Sequence, residues 1–95
     1  MPRLAFLPAA EADLREIARF IAADNPERAR TFVGEIMSRC QLLAASPKIG
    51  RESDKEFGEG VRRFPLGRYI VFYRIVPDGI KVIRVLHSAR NVPGM

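Results

Sequence analysis

The only histidine of this chain, His87, lies in the run RVLHSAR between Arg84 and Arg90. An imidazole among guanidiniums is a combination suited to cutting RNA. Cleavage through the 2′-hydroxyl needs a general base, a general acid and cations that stabilise the phosphorane. With Arg62 added, these residues could compose a minimal site. Strand alternation argues for a different role, because it turns His87 toward the core-packed side at the last position of its strand, away from Arg84. The expectation is a structural, strand-terminal histidine and no catalytic residue.

Other reactive side chains read the same way. Cys40 is the single cysteine, so no intrachain disulfide forms and zinc-type CxxC spacings are absent. It falls in helical register with Phe32, Val33 and Ile36, which makes it a core thiol. Tyr69 and Tyr73 could stack nucleobases, but at spacing two on an apolar strand they belong to the core. The run Glu52, Asp54, Glu56 and Glu59 lacks the ordered ligand spacing of a calcium loop. Neither a metal nor a cofactor is expected.

Charge is placed unevenly. Residues 1–59 hold nine Lys/Arg against ten acids, whereas residues 60–95 hold seven Lys/Arg against Asp78 alone. The basic character therefore belongs to the C-terminal third and implies an acidic partner, either nucleic acid or an acidic protein segment. The 95 residues suit a single domain over 1–95 with one core. No run approaches a membrane span or a signal-peptide core, and a reducing cytoplasm suits the lone thiol.

These residues must be positioned by a short list of elements. Arg3 to Leu7 reads as an edge strand ended by Pro8. Ala10, Leu14, Ile17, Ala18 and Ile21 recur at helical spacing up to Ala23, with Glu11 and Asp13 in the first turn. Asn25 then caps a second helix that has Pro26 at its first position and ends near Ser46-Pro47. It buries Ala29, Phe32, Val33, Ile36, Cys40 and Leu43, and the short linker folds the two helices into an antiparallel hairpin. The glycine-rich, charged segment 48–60 reads as a surface loop. Val61 to Phe64, RYIVFYRIV and IKVIRVLH are strands, the last two joined by Pro77-Asp78-Gly79. The order β-α-α-β-β-β predicts an α+β fold, an antiparallel sheet with a helical hairpin packed on one face.

If Val76 pairs opposite Ile80, the helix-covered face collects Tyr69, Val71, Tyr73, Ile75, Lys81, Ile83, Val85 and His87. The other face then collects Ile70, Phe72, Arg74, Val76, Ile80, Val82, Arg84 and Leu86, with no cover from the chain. So large an apolar patch calls for a partner, since hiding each large side chain is worth about 1.5 to 3 kcal/mol. The alternative is that the 48–60 loop folds over this face. Two unpaired guanidiniums beneath it argue against that, because burying them would be costly.

The successive stretches PAAEADLREIARFIAADNPERA, SPKIGRE, GVRRFPLGRYIVFYRI and DGIKVIRVLHSARN resemble the ParE-type toxins of the RelE/ParE superfamily, in order and over nearly the whole chain. The resemblance implies a toxin that poisons DNA gyrase and is neutralised by a ParD-like antitoxin with an acidic, flexible C-terminal part. It also implies a hetero-oligomeric complex that associates with DNA through the antitoxin. On this view Ile70, Phe72, Arg74, Val82, Arg84 and Leu86 bind the antitoxin, while Arg62 and Arg90 face the target. The superfamily also holds RelE-type ribosome-dependent mRNA nucleases. Such sequences usually place an arginine directly after the central-strand tyrosine, where this chain has Tyr69-Ile70, and they carry a C-terminal tyrosine that is absent here. A third reading is a non-toxic module that only binds an antitoxin-like partner or DNA.

Overall fold

The computed structural model describes residues 2–53 and 57–89. Strand β1 (Arg3–Phe6) leads into helix α1 (Pro8–Ala22), and helix α2 (Pro26–Ala45) follows after a three-residue break. The restart is capped as its composition requires: Asn25 is extended, and its side-chain oxygen accepts the Arg28 N–H at 3.1 Å. A single 3-10 turn (Pro47–Ile49) and the two-residue strand β2 (Arg51–Glu52) come next. The remaining strands are β3 (Val61–Leu66), β4 (Tyr69–Val76) and β5 (Gly79–His87). The 48–60 segment, read as an irregular loop, therefore contributes a short turn and one edge strand.

The sheet runs β1-β5-β4-β3-β2. Neighbours from β2 to β5 are antiparallel, as the tight connections dictate, and β1 adds to β5 in parallel. This makes the sheet mixed. The hairpin of helices carries the chain across one face to the far edge, and the meander then returns it to β1. Gly79 permits that closure, since a Cβ there would lie 1.8 Å from the Arg3 carbonyl oxygen. Pro65 interrupts nothing, because β2 pairs only with Arg62 and Arg63 and the edge of β3 beyond them is open.

The main core lies between the helices and the sheet. Ile17, Phe32, Ile36, Cys40 and Leu43 meet Tyr69, Val71, Tyr73, Ile80, Val82 and Val85. Both tyrosines are core residues, as their spacing indicated. Tyr73 also uses its hydroxyl, which donates to the Pro47 carbonyl at 2.6 Å and accepts the Gly50 N–H at 3.0 Å, tying the 3-10 turn to the sheet. Burial raises the pKa of this phenol. Gly50 is needed for the approach, since a Cβ there would fall 2.3 Å from that hydroxyl.

Cys40 is fully buried, and burial pushes its thiol up from the ordinary 9.0 to about 12. The unfolded thiol ionises first, so its contribution to stability is complete below pH 9 and is lost as pH rises through about 12. Native protein is expected to leave Cys40 unmodified by a thiol reagent at pH 7 and to react only when unfolded. Prompt modification of the native chain would contradict a core thiol.

Candidate functional site

The register of β4 and β5 differs from the expected one and removes Ile80 and Val82 from the anticipated partner face. Val76 pairs with Gly79 rather than Ile80, and the ladder slips between Phe72 and Tyr73, where Ile83 has no opposite residue. This β-bulge shifts the alternation partway along β5, so that Ile80 to Ile83 change faces while Val85, Leu86 and His87 keep theirs. Ile80 and Val82 consequently share the helix-covered core with Val85. Val82 is 0% exposed there and cannot belong to an open face. Ile83 moves the other way and packs with Val61, Ile70, Phe72 and Leu86.

This second cluster is not left open either. Ile70, Phe72 and Leu86 are 4%, 0% and 5% exposed. The Phe57 ring meets Phe72 edge-on at 4.7 Å, and the Arg63 guanidinium lies 5.6 Å from the centre of the same ring. The loop alternative describes this part of the molecule better than an uncovered face does. The objection from two buried, unpaired arginines dissolves in the geometry. Arg74 stays exposed and donates to the Glu59 carbonyl oxygen, between Gly58 and Gly60 at φ 101° and 83°. Arg84 has a carboxylate of its own.

That carboxylate is Asp13, in the second turn of α1. Its Oδ2 accepts from Arg84 Nε at 2.7 Å and its Oδ1 from Arg84 Nη2 at 2.9 Å. Oδ2 also accepts the Val85 N–H at 2.9 Å, so a single side chain serves both the arginine and a backbone donor beside the bulge. The two hydrogen bonds raise the Arg84 pKa above its ordinary value. The sequence reading placed Asp13 in the first turn as a partner of the helix dipole. Its role as the clasp between α1 and β5 depends on the bulge, which no local pattern announces.

Around this clasp is a cleft of about 160 Å³, lined by Asp13, Glu16, Ile17 and Phe20 of α1 and by Tyr69, Arg84 and His87 of the sheet. His87 stands edge-on to Tyr69 at 5.3 Å, and its Nδ1 accepts the Ala89 N–H at 3.1 Å. A neutral imidazole so bonded carries its proton on Nε2. The cations of the hypothetical nuclease set do not gather here. Arg84 is committed to Asp13. Arg62 pairs opposite Tyr73, four residues from Tyr69 and so roughly 13 Å along the strand. Its side chain is 18% exposed, with Glu52 at 3.8 Å and an Nε without a hydrogen-bond partner among the described residues, so it is largely held inside rather than presented to a target. Arg90 lies outside the described residues, as do Asp54 and Glu56. Among the described residues no group of His, Cys, Asp or Glu could hold a metal ion, and no helix is long and apolar enough to cross a membrane.

A different surface has the character of a protein-binding site. Between the two helices runs a groove of about 540 Å³, floored by Ala18, Ala22, Pro26, Ala29 and Val33. Its charged lining is Arg15, Arg19 and Arg30, with no carboxylate. Small side chains at i, i+4 spacing keep the helices close and leave a shallow channel, while the arginines one turn apart stand along its rim. Helical spacing alone assigns Ala18 and Ala29 to the core and does not distinguish core filler from the floor of a groove. The available signal was alanines flanked only by arginines on a hairpin whose other faces are of mixed charge.

Residues 4–92 match the family model of the ParE toxin of type II toxin-antitoxin systems, parDE. Toxin ParE1 of Mycobacterium tuberculosis is 36% identical over 87 residues, covering 90% of this chain and 88% of that protein. Toxin RelE3 of Caulobacter vibrioides is 30% identical over 81 residues, covering 85% and 88%. The solved chromosomal ParDE toxin-antitoxin system of P. aeruginosa contains a chain that superimposes with a TM-score of 0.74 at 26% identity, over 92% of this chain and 96% of that one. A helical hairpin on one face of a five-stranded sheet, in a chain matched almost end to end, places this protein in the ParE toxin family of type II toxin-antitoxin systems.

Proposed function

We propose that this toxin acts in the cytoplasm by binding DNA gyrase, breaks no covalent bond itself, and is restrained by a ParD-like antitoxin that lays an acidic amphipathic helix into the groove between α1 and α2. The observation that carries the first part is the scatter of the reactive groups. The histidine is bonded to Ala89, one arginine to Asp13, and Arg62 sits well along the sheet. Phosphoryl chemistry needs these groups within hydrogen-bond reach of one phosphate. The family resemblance supports gyrase as the target in this reading. The groove supports the second part, since an apolar floor takes the apolar face of a helix and an all-arginine rim selects acidic flanks.

The competing RelE-like reading has one observation in its favour: His87, Glu16 and Arg84 line the same cleft. The substitution His87→Gln separates the two readings, because it keeps size and hydrogen bonding and removes acid-base capacity near neutral pH. Growth arrest on expression is expected to survive the change. A folded His87→Gln protein that lost toxicity together with mRNA cleavage would establish the nuclease instead.

A further inference from the structure

The face of the sheet turned away from the helices carries one cation from each of its five strands. Register fixes the set. Arg51 of β2 is directly opposite Arg63 of β3, and Arg63 is opposite Phe72. Arg74, two residues beyond Phe72 on β4, is directly opposite Lys81 of β5. Lys81 is opposite Ala5, two residues from Arg3 on β1. These pairings place all five on the side of Phe72 and Ile70, because Tyr73, Val71, Leu4 and Phe6 occupy the other. The only carboxylate on the described strands is Glu52, and its pairing with Arg62 puts it on the helix side. Arg3, Arg51, Arg74 and Lys81 are exposed.

Like charges directly opposite one another destabilise a sheet, and the exposed Arg74 and Lys81 form such a pair. The stripe crosses five strands, roughly 19 Å at the usual inter-strand spacing. Along a duplex axis roughly five phosphates of one strand pass over that distance. The apolar residues beneath it, Ile70, Phe72 and Leu86, are buried, so the face offers charge without an apolar anchor. An acidic protein surface would want both, as the groove between the helices provides. A phosphate backbone wants charge alone.

We infer that the helix-free face of this toxin binds the phosphate backbone of nucleic acid directly, through Arg3, Arg51, Arg63, Arg74 and Lys81, independently of the antitoxin. The inference does not rest on gyrase as the target, and the assay contains none.

Fluorescence anisotropy of the purified chain with a labelled 20-base-pair DNA duplex, and with the RNA duplex of the same sequence, at 50 and 200 mM KCl, tests it. Five phosphate contacts predict a loss of affinity of roughly 500-fold between the two salts. The variant Arg3→Gln/Arg51→Gln/Lys81→Gln is expected to bind at least about tenfold more weakly at 50 mM and to reduce the salt effect to roughly 12-fold. Arg39→Gln/Lys48→Gln/Arg68→Gln, three exposed cations outside the strands, has the same net charge as that triple variant and is expected to bind as wild type. The single variant Lys81→Gln, with the salt slope reduced by about one contact, supports the assignment should the triple variant fold poorly. Preference for one duplex identifies the polymer. Binding to neither, or equal losses in both triple variants, overturns the proposal.

Discussion

Reversing the rim of the helical groove with Arg15→Glu, Arg19→Glu and Arg30→Glu is expected to weaken the antitoxin complex about 100-fold and to leave the urea midpoint of the free toxin almost unchanged. All three side chains are exposed, and surface substitutions usually alter stability by only about 0.5 kcal/mol. An acidic helix seated on Ala18, Ala22, Ala29 and Val33 would meet like charge along both flanks, and such juxtapositions cost several kcal/mol. Because the rim steers encounter, much of the loss should appear in the association rate and diminish at high salt. Isothermal titration with the ParD-like partner measures the loss of affinity, and stopped-flow association at two salt concentrations measures the rate and its salt dependence. A change below about threefold would remove the groove from the interface.

Asp13→Ala is expected to cost about 2 to 3 kcal/mol. It would strand the Arg84 guanidinium and leave the Val85 N–H beside the bulge without its acceptor. The Asp13 side chain is 11% exposed and that of Arg84 35%, so water can replace part of what is lost, which keeps the figure below that of a fully buried pair. Asp13→Asn retains an acceptor and should lose less. The double change Asp13→Ala/Arg84→Met should be milder than Asp13→Ala alone, because no uncompensated charge remains. For a domain of this size, about 2 kcal/mol lowers the melting temperature by on the order of 10 °C. A shift under about 2 °C would show that the clasp is incidental.

What could be read from the sequence was whatever has a local cause. The helix break at Asp24-Asn25-Pro26, the Asn25 cap, the hairpin strands and the burial of Cys40, Tyr69 and Tyr73 follow from spacing and turn chemistry, and all are present. The contents of the two sheet faces were not legible in full, because one unpaired residue changes them. With Ile83 bulged, Val82 joins the helix-packed core and Arg84 reaches Asp13, a contact across 71 positions. The expected open face was wrong for a second reason. Phe57 and the two glycines at positive φ fold the 57–60 segment over Phe72, and a loop read only by its charge conceals that plug. The groove between the helices went unnoticed because alanine serves equally well as core filler and as channel floor.

The most direct test of the central claim sets purified toxin against gyrase-catalysed supercoiling and against ribosome-bound mRNA, side by side and at equal concentration. The account predicts inhibition of supercoiling, its relief by the ParD-like antitoxin, and intact mRNA. Cleaved mRNA with unimpaired supercoiling would contradict it.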